Sequence, residues 1–484
     1  MMSDSADVLF LTSGTYPYYE GGVSTWANAL LTSLPDYNFK IISLVSNPHV
    51  EMQYETPPNV RKLEMLPIWG IIRPDEFSAT PIRKLLDRMY VTRSRGIEDF
   101  LSSFEKFLQA IASGGDKSHL LAESVVEMFE FLKDHDFRSV VRDKKFWELF
   151  SSFIEGNKNF SSMSLRETLE VCRTVVRYLE VLTTDVPRCE LIHSSIAGVV
   201  GFLAVIAKLR DDTPFILTEH GVYYRERLLQ VTGKYGKGQK EFWIRFERAL
   251  AILSYEYADI IAPVSKFNAQ WETQLGAQQN KIQVIHNGVD TDKFKPITIK
   301  RISNAPTVTV VTRIDRLKGI LDLIPAMATV REKVPDAKCL IYGSASDLEY
   351  ARLCVETRDK LGLSGSIHFM GFTKDTPNAF NSGDVVALPS ISEGFPFALI
   401  EGMACAKASV ATDVGGVDEA LGESGVIVPP RDPTRLGEAL SNLLTDAEYS
   451  KKMGAAARDR TLNEYALPKF AEEYRGVYKQ LNSK

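Results

Sequence analysis

Two series of short apolar runs, each closed by a glycine-, serine- or proline-marked loop and followed by a helical stretch, limit what this chain can fold into. The first run, VLFLT at 8–12, is continuous rather than alternating, the pattern of a strand buried on both faces. Ser13-Gly14 closes it, and after the loop TYPYYEGG the stretch 23–34 has helical spacing, with Ser24 or Gly22 expected as its cap. Further strands are expected at 40–46, 60–66, 191–193, 215–218, 260–264 and 281–285, with helices at 196–209, 242–258 and 265–275. After a polar linker at 297–306 the series restarts, with strands at 308–313, 338–342, 367–370, 385–388 and 409–412 and an amphipathic helix at 468–481. Strands alternating with helices form parallel sheets, so the expected class is α/β, two doubly wound Rossmann-like domains whose carboxyl-edge loops face a shared cleft.

The first series is interrupted. From about 80 to 182 strand signals are few and helical periodicity dominates, as in SVVEMFEFLKD and LRETLEVCRTVVRYLEVL. This reads as a helical insertion whose apolar stripes form its own core, the other reading being a surface that shapes a cleft or meets a partner.

Composition narrows the classes further. The 484 residues suffice for two or three domains with large cores. A formal net charge of -5 gives no global reason to expect nucleic acid. Cys172, Cys189, Cys339, Cys354 and Cys405 are widely spaced and form no C-x-x-C, which reads as reduced thiols in a cytoplasmic protein rather than a disulfide or zinc framework. The N-terminal residues lack a basic signal-peptide start, and the most apolar segment, 196–207, is shorter than the roughly 20 residues needed to cross a bilayer.

The chemistry concentrates at strand ends, where ligands bind in open α/β sheets. The run at 385–388 breaks at Pro389, a short loop carries Glu393-Gly394, and Pro396 is expected at the first position of a helix. The amides of Phe397, Ala398 and Leu399 would then point out of the helix end and make an anion site. Glu393 at its mouth and Glu401 eight residues on are placed to hold two hydroxyl-bearing parts of a ligand whose phosphate lies between them. Taken alone, they read equally as a capping carboxylate and a solvated helix residue. Arg313 and Lys318 flank another strand-to-helix loop and suit a diphosphate, a fork beside a point charge, or else form a solvated basic loop. In the first series His220 follows the strand at 215–218, with Arg225 and Arg227 near the same edge. Gly21-Gly22 is either a phosphate contact or a tight turn, since no G-x-G-x-x-G is present.

Together these motifs carry a resemblance. TRIDRLKG resembles the diphosphate-binding R-x4-K motif of GT-B glycosyltransferases of family 4, SEGFPFALIE their E-x7-E motif, and HNGVD the segment before their interdomain linker. GTYPYYEGGVSTW, LTEHGVYYRER and the helical insertion resemble the PelF type, which makes Pel exopolysaccharide. The resemblance implies a first, acceptor-side domain at 1–295 with its insertion at about 80–185, and a nucleotide-sugar domain at 305–467. A C-terminal helix at 468–484 would return to the first domain. It implies a retaining hexosyltransferase with no metal or other cofactor, in keeping with the lack of a D-x-D-type cluster near the site.

By this carry-over, Glu393 holds the donor sugar, with Gly394, Phe395 and the amides after Pro396 lining sugar and phosphate. Glu401 grips the ribose, and Arg313 and Lys318 neutralise the leaving diphosphate. Gly22 lets its loop approach the donor, His220 sits beside the sugar, and the backbone at Met370-Gly371 reads the base. Pro396 and Phe397 depart from the small residues many members carry there, which leaves the sugar open between UDP-glucose, which the resemblance favours, and UDP-N-acetylhexosamine. The implied partners are a UDP-sugar, a glycan acceptor and a membrane-associated polysaccharide synthase complex that would hold this cytoplasmic protein at the inner membrane. The competing readings are a nucleotide-sugar epimerase, for which no acid/base set is identified, and a non-catalytic nucleotide-sugar sensor or scaffold subunit.

Overall fold

The computed structural model describes residues 6–70, 81–231, 235–301 and 304–482. Its residues divide into two compact units. The first comprises the chain as far as Pro263, Ala269–Val284 and the residues from Arg475 onward; the second comprises Val264–Asn268 and Ile285–Tyr474.

The first unit holds a six-stranded sheet of β1 (Ala6–Ser13), β2 (Phe39–Val45), β3 (Val60–Pro67), β4 (Cys189–Ser194), β5 (Phe215–Glu219) and β6 (Ile260–Pro263). The order is β3-β2-β1-β4-β5-β6 and every pairing is parallel. The continuous apolar runs are buried on both faces, with Val8 through Leu11 and Phe215 through Leu217 inaccessible to solvent.

Three local expectations differ here. The helix after β1 is Gly22–Ser33 with Gly21 as its cap, so neither Ser24 nor Gly22 caps it. The helix expected at 196–209 starts later and spans Gly201–Asp211. Beyond β4 the chain is still held at the sheet edge, by the Ser195 amide donating to the Leu11 carbonyl at 2.9 Å and the Ser194 hydroxyl donating to the Ile196 carbonyl at 2.8 Å. The strand expected at 281–285 shrinks to a single bridge between Ile261 and Ile282. Gln283 donates to the Ile261 carbonyl at 2.9 Å, and the next rung would need an N–H from Pro263, which has none.

The insertion is helical between Ile82 and Leu179, and its helix Leu165–Leu179 begins with a reciprocal Ser164–Glu167 capping box. Its apolar stripes do not form a separate core. Phe100, Phe104, Phe107, Phe146 and Phe150 belong to one buried cluster with Leu9, Leu11 and Ile42 of the sheet and Phe202 of the helix after β4. Phe107 and Phe202 meet edge to face at 6.3 Å.

The second unit repeats the plan with β7 (Thr307–Val311), β8 (Lys338–Tyr342), β9 (Ile367–Gly371), β10 (Val385–Leu388), β11 (Ala408–Thr412) and β12 (Val426–Val428). Its parallel order is β12-β11-β10-β7-β8-β9, the same winding as in the first unit. The winding direction therefore reverses between β1 and β4 in one sheet and between β7 and β10 in the other. In open sheets of this kind ligands bind beyond the carboxyl ends of the strands, at the reversal. Among the described residues no helix is long and apolar enough to cross a membrane.

Candidate active site

The loops leaving β7 and β10 meet at the crevice of the second unit. After β7 the chain makes one tight turn, Arg316–Lys318, capped by Asp315, whose carboxylate accepts from the Leu317 amide at 2.9 Å. Gly319 follows with φ 64°, and a Cβ there would stand 1.9 Å from the Pro389 carbonyl oxygen in the loop after β10. Only glycine permits both the backbone and the approach. The Ile391 amide donates to the Leu317 carbonyl at 2.7 Å and ties the two loops together.

On this frame Lys318 and Glu393 come together, the Lys318 Nζ donating to Glu393 Oε1 at 2.7 Å with only 18% and 9% of the two side chains exposed. The Ser390 hydroxyl donates to the same oxygen at 2.6 Å. A third loop, after β11, backs the pair. A Cβ on Gly415 (φ 60°) would meet the Glu393 carbonyl oxygen at 1.9 Å, and the Gly416 amide donates to the Gly394 carbonyl at 2.8 Å. Sequence reasoning missed Ser390, Gly415 and Gly416. The available signal was the Gly415-Gly416 pair, separated from the end of β11 by two residues.

The remaining expected residues divide. Arg313 is 57% exposed and lies 3.6 Å from Asp315, so it is on the right edge but is not brought to Glu393. Pro396 caps the helix Phe397–Ala404 rather than beginning it. The Leu399 amide closes the first turn on the Pro396 carbonyl at 3.2 Å and the Leu399 side chain is buried core, which corrects its assignment as a lining amide. The amides of Phe397 and Ala398 remain directed out of the helix end. Phe395 turns its ring into the same core, 4.8 Å from His286 and 5.2 Å from Tyr465, and its carbonyl accepts from Asn287 at 2.7 Å. Its side chain therefore does not line the site. Glu401 lies in the second helical turn, where burial pushes its carboxyl up to about 7 against the opposing pull of Lys293. Met370 and Gly371 end β9, two strands away from β7, with Met370 39% exposed and the Gly371 carbonyl accepting from Gly343 at 2.9 Å.

In the first unit His220 follows β5 directly. Its ring stands edge to face with Trp26 at 4.5 Å, on the helix that Gly22 begins. Burial lowers His220 to about 3, which makes it a neutral imidazole, and its Nε2 is buried without a hydrogen-bond partner among the described residues. Such a group can exchange hydrogen bonds with a hydroxyl but brings no positive charge. Behind it His193 bonds the Tyr478 and Thr218 hydroxyls, each at 2.8 Å. Arg227 is engaged at 2.9 Å by the buried Glu247, and Arg225 stands 6.0 Å over the Trp271 ring.

Comparison with known proteins finds matches to both units. Residues 6–280 match the family described as "Domain of unknown function (DUF3492)", and residues 305–446 match the family described as "Glycosyl transferases group 1". A D-inositol 3-phosphate glycosyltransferase of Corynebacterium urealyticum is 31% identical over 234 residues, 44% of this chain and 54% of that protein. This chain therefore spans about half the length of that relative. An N,N'-diacetylbacillosaminyl-diphospho-undecaprenol alpha-1,3-N-acetylgalactosaminyltransferase of Campylobacter jejuni is 27% identical over 278 residues, 53% of this chain and 70% of that one. Among solved structures, sucrose-phosphate synthase from Thermosynechococcus elongatus aligns over 99% of both chains with TM-score 0.63 and 16% identity. HepE from Anabaena, in complex with UDP and glucose, aligns over 98% of this chain and 99% of that one with TM-score 0.61 and 15% identity. The chain belongs to the DUF3492 family, its residues 305–446 match the group 1 glycosyltransferases, and its fold is the GT-B fold of these solved structures.

Proposed function

We propose that the protein is a retaining, metal-independent glycosyltransferase that moves a hexose from a nucleoside-diphosphate sugar to a growing polysaccharide or other glycan. The observation that carries this reading is the Lys318–Glu393 pair, held at the point where the second sheet reverses its winding. A donor entering there separates the pair. The diphosphate takes Lys318, assisted by the exposed fork of Arg313 and the Phe397 and Ala398 amides, and the sugar hydroxyls take Glu393 while Ser390 keeps it oriented. Glu401 holds the ribose, the backbone at Met370 and Gly371 meets the base, and His220 contacts the sugar as a neutral hydrogen-bonding group. Gly22 leaves room for its loop.

In the reaction the bond from the anomeric carbon to the leaving phosphate oxygen breaks, and the acceptor oxygen bonds that carbon on the same face. The acceptor's proton passes to the departing diphosphate. The negative charge that develops on the diphosphate is what Lys318 and Arg313 stabilise. UDP-glucose is the first donor to test because the first unit resembles the PelF type, and UDP and glucose are also what HepE holds. The same resemblance supports a membrane-associated polysaccharide synthase complex as its partner.

The test is Lys318→Ala. Removing one preorganised charge from the leaving group costs on the order of 100-fold or more in turnover, while a loop lysine leaves the fold intact. Nucleotide release within about threefold of the unaltered protein would show that the site is elsewhere.

A further inference from the structure

Of the helix Ile82–Arg95 in the insertion, only Thr92 is buried. Its hydroxyl accepts the Asp136 amide at 2.8 Å and donates to the Arg88 carbonyl at 2.8 Å, while Arg88 Nε donates to the Lys133 carbonyl at 2.9 Å. The helix is thus held along one edge, against the chain between the helices Ser118–Leu132 and Phe137–Arg142. At about 100° per residue, the side turned away from that edge carries Ile82, Leu86, Met89 and Tyr90, one stripe at i, i+4, i+7 and i+8. Ile82 and Tyr90 are each 75% exposed, Leu86 59% and Met89 40%. Single exposed apolar side chains are ordinary on a folded protein, but four in one stripe mark a surface that meets something apolar.

The charges narrow what that is. The helix holds Arg83, Lys84, Arg88, Arg93 and Arg95 against the single acid Asp87, a formal +4 within a chain whose net charge is -5. All of these cations except the tethered Arg88 are exposed. A second copy laid helix to helix would set like charge against like, and a nucleic acid would take the cations and leave the stripe in water. A bilayer that contains anionic lipid takes both, with acyl chains under the stripe and headgroup phosphates beside the cations.

We propose that the helix Ile82–Arg95 docks the protein on an anionic lipid bilayer, its Ile82, Leu86, Met89 and Tyr90 stripe at the boundary of headgroups and acyl chains and its exposed cations on lipid phosphates. Tyr90, with an apolar ring and a polar hydroxyl, suits that boundary. The contact is with lipid itself, separate from the synthase complex proposed above as partner, and it uses no part of the donor site.

Flotation of the full chain with vesicles tests this, one set of phosphatidylcholine alone and one with about a third phosphatidylglycerol. The protein should bind the anionic vesicles at least about tenfold better than the neutral ones and be released by roughly 0.5 M salt. The double variant Leu86→Glu/Tyr90→Glu should lose about tenfold or more of that binding, with melting temperature and stabilisation by UDP unchanged, because both positions are exposed. Tyr90→Trp should keep the binding and add emission that shifts to the blue on the anionic vesicles alone. No binding to either vesicle overturns the proposal, as does equal binding to both or full binding by the double variant. A dimer that the double variant splits, without vesicle binding, would assign the stripe to a second copy, and binding only to membranes that retain their proteins would assign it to a protein partner. Either result overturns it. None of these measurements needs donor turnover, so they stand or fall apart from the glycosyltransferase reading.

Discussion

Glu401, proposed to hold the ribose, would couple the free protein to its ligand. Its carboxyl is raised to about 7 by burial, so near neutral pH the free protein holds it about half protonated. The stability that this proton confers is complete below the unfolded value near 4.5 and is lost as pH rises through about 7. Glu401→Gln is therefore expected to melt higher than the unaltered protein at pH 8 and to lose that advantage at pH 5. Ribose hydroxyls donate best to the ionised form, so UDP affinity should rise with pH through 7 in the unaltered protein and stay flat in Glu401→Gln. A pH-independent UDP affinity in the unaltered protein, measured by calorimetry, would remove Glu401 from the ribose. Lys318 and Glu393, which the structure brings together, were legible as candidates because each belongs to a fixed spacing beside a strand end. Ser390 was not. Ser390 is one serine in a serine-containing loop.

At the level of elements, the site depends on loops that approach closer than side chains allow. Gly319→Ala is expected to cost roughly 1–2 kcal/mol for the left-handed backbone alone. It must also push the Pro389 carbonyl away and part the loops that hold Lys318 and Glu393. Gly362→Ala is the control: its φ is 66° but nothing lies within 4 Å of the added carbon, so it pays the backbone cost only. Both variants should melt lower, and only Gly319→Ala should lose stabilisation by UDP. Equal UDP responses would show that the loop contact does not shape the site. Most strands were readable as short apolar runs ending in Gly, Ser or Pro. The misreadings at 196–200 and 281–285 arose where hydrogen bonding, not hydropathy, decides the boundary: Ser194 and Ser195 extend the strand edge, and Pro263 ends a ladder. The three-residue β12 is too short to register as a pattern of its own.

Across the whole molecule the repeated winding of the two sheets was legible from alternation alone, and it places both sets of candidate residues at carboxyl edges. The insertion was legible as helical but not as part of the first unit's core, because apolar periodicity marks which face is buried and not what it is buried against. Its continuity with Leu9, Leu11 and Phe202 has a consequence. Replacing 98–179 by a short linker should abolish cooperative unfolding of the first unit and expose apolar dye-binding surface, whereas a cooperative transition would show two separable cores.

The central claim is that the second unit's crevice binds a nucleoside-diphosphate sugar and stabilises its leaving group with side-chain cations. It is tested most directly by nucleotide release from UDP-glucose, UDP-N-acetylglucosamine, UDP-N-acetylgalactosamine and GDP-mannose, each with and without EDTA, against Lys318→Ala. The expected result is release from one donor, unchanged by EDTA and lost in the variant. Release that EDTA abolishes, or that survives in Lys318→Ala, would contradict it.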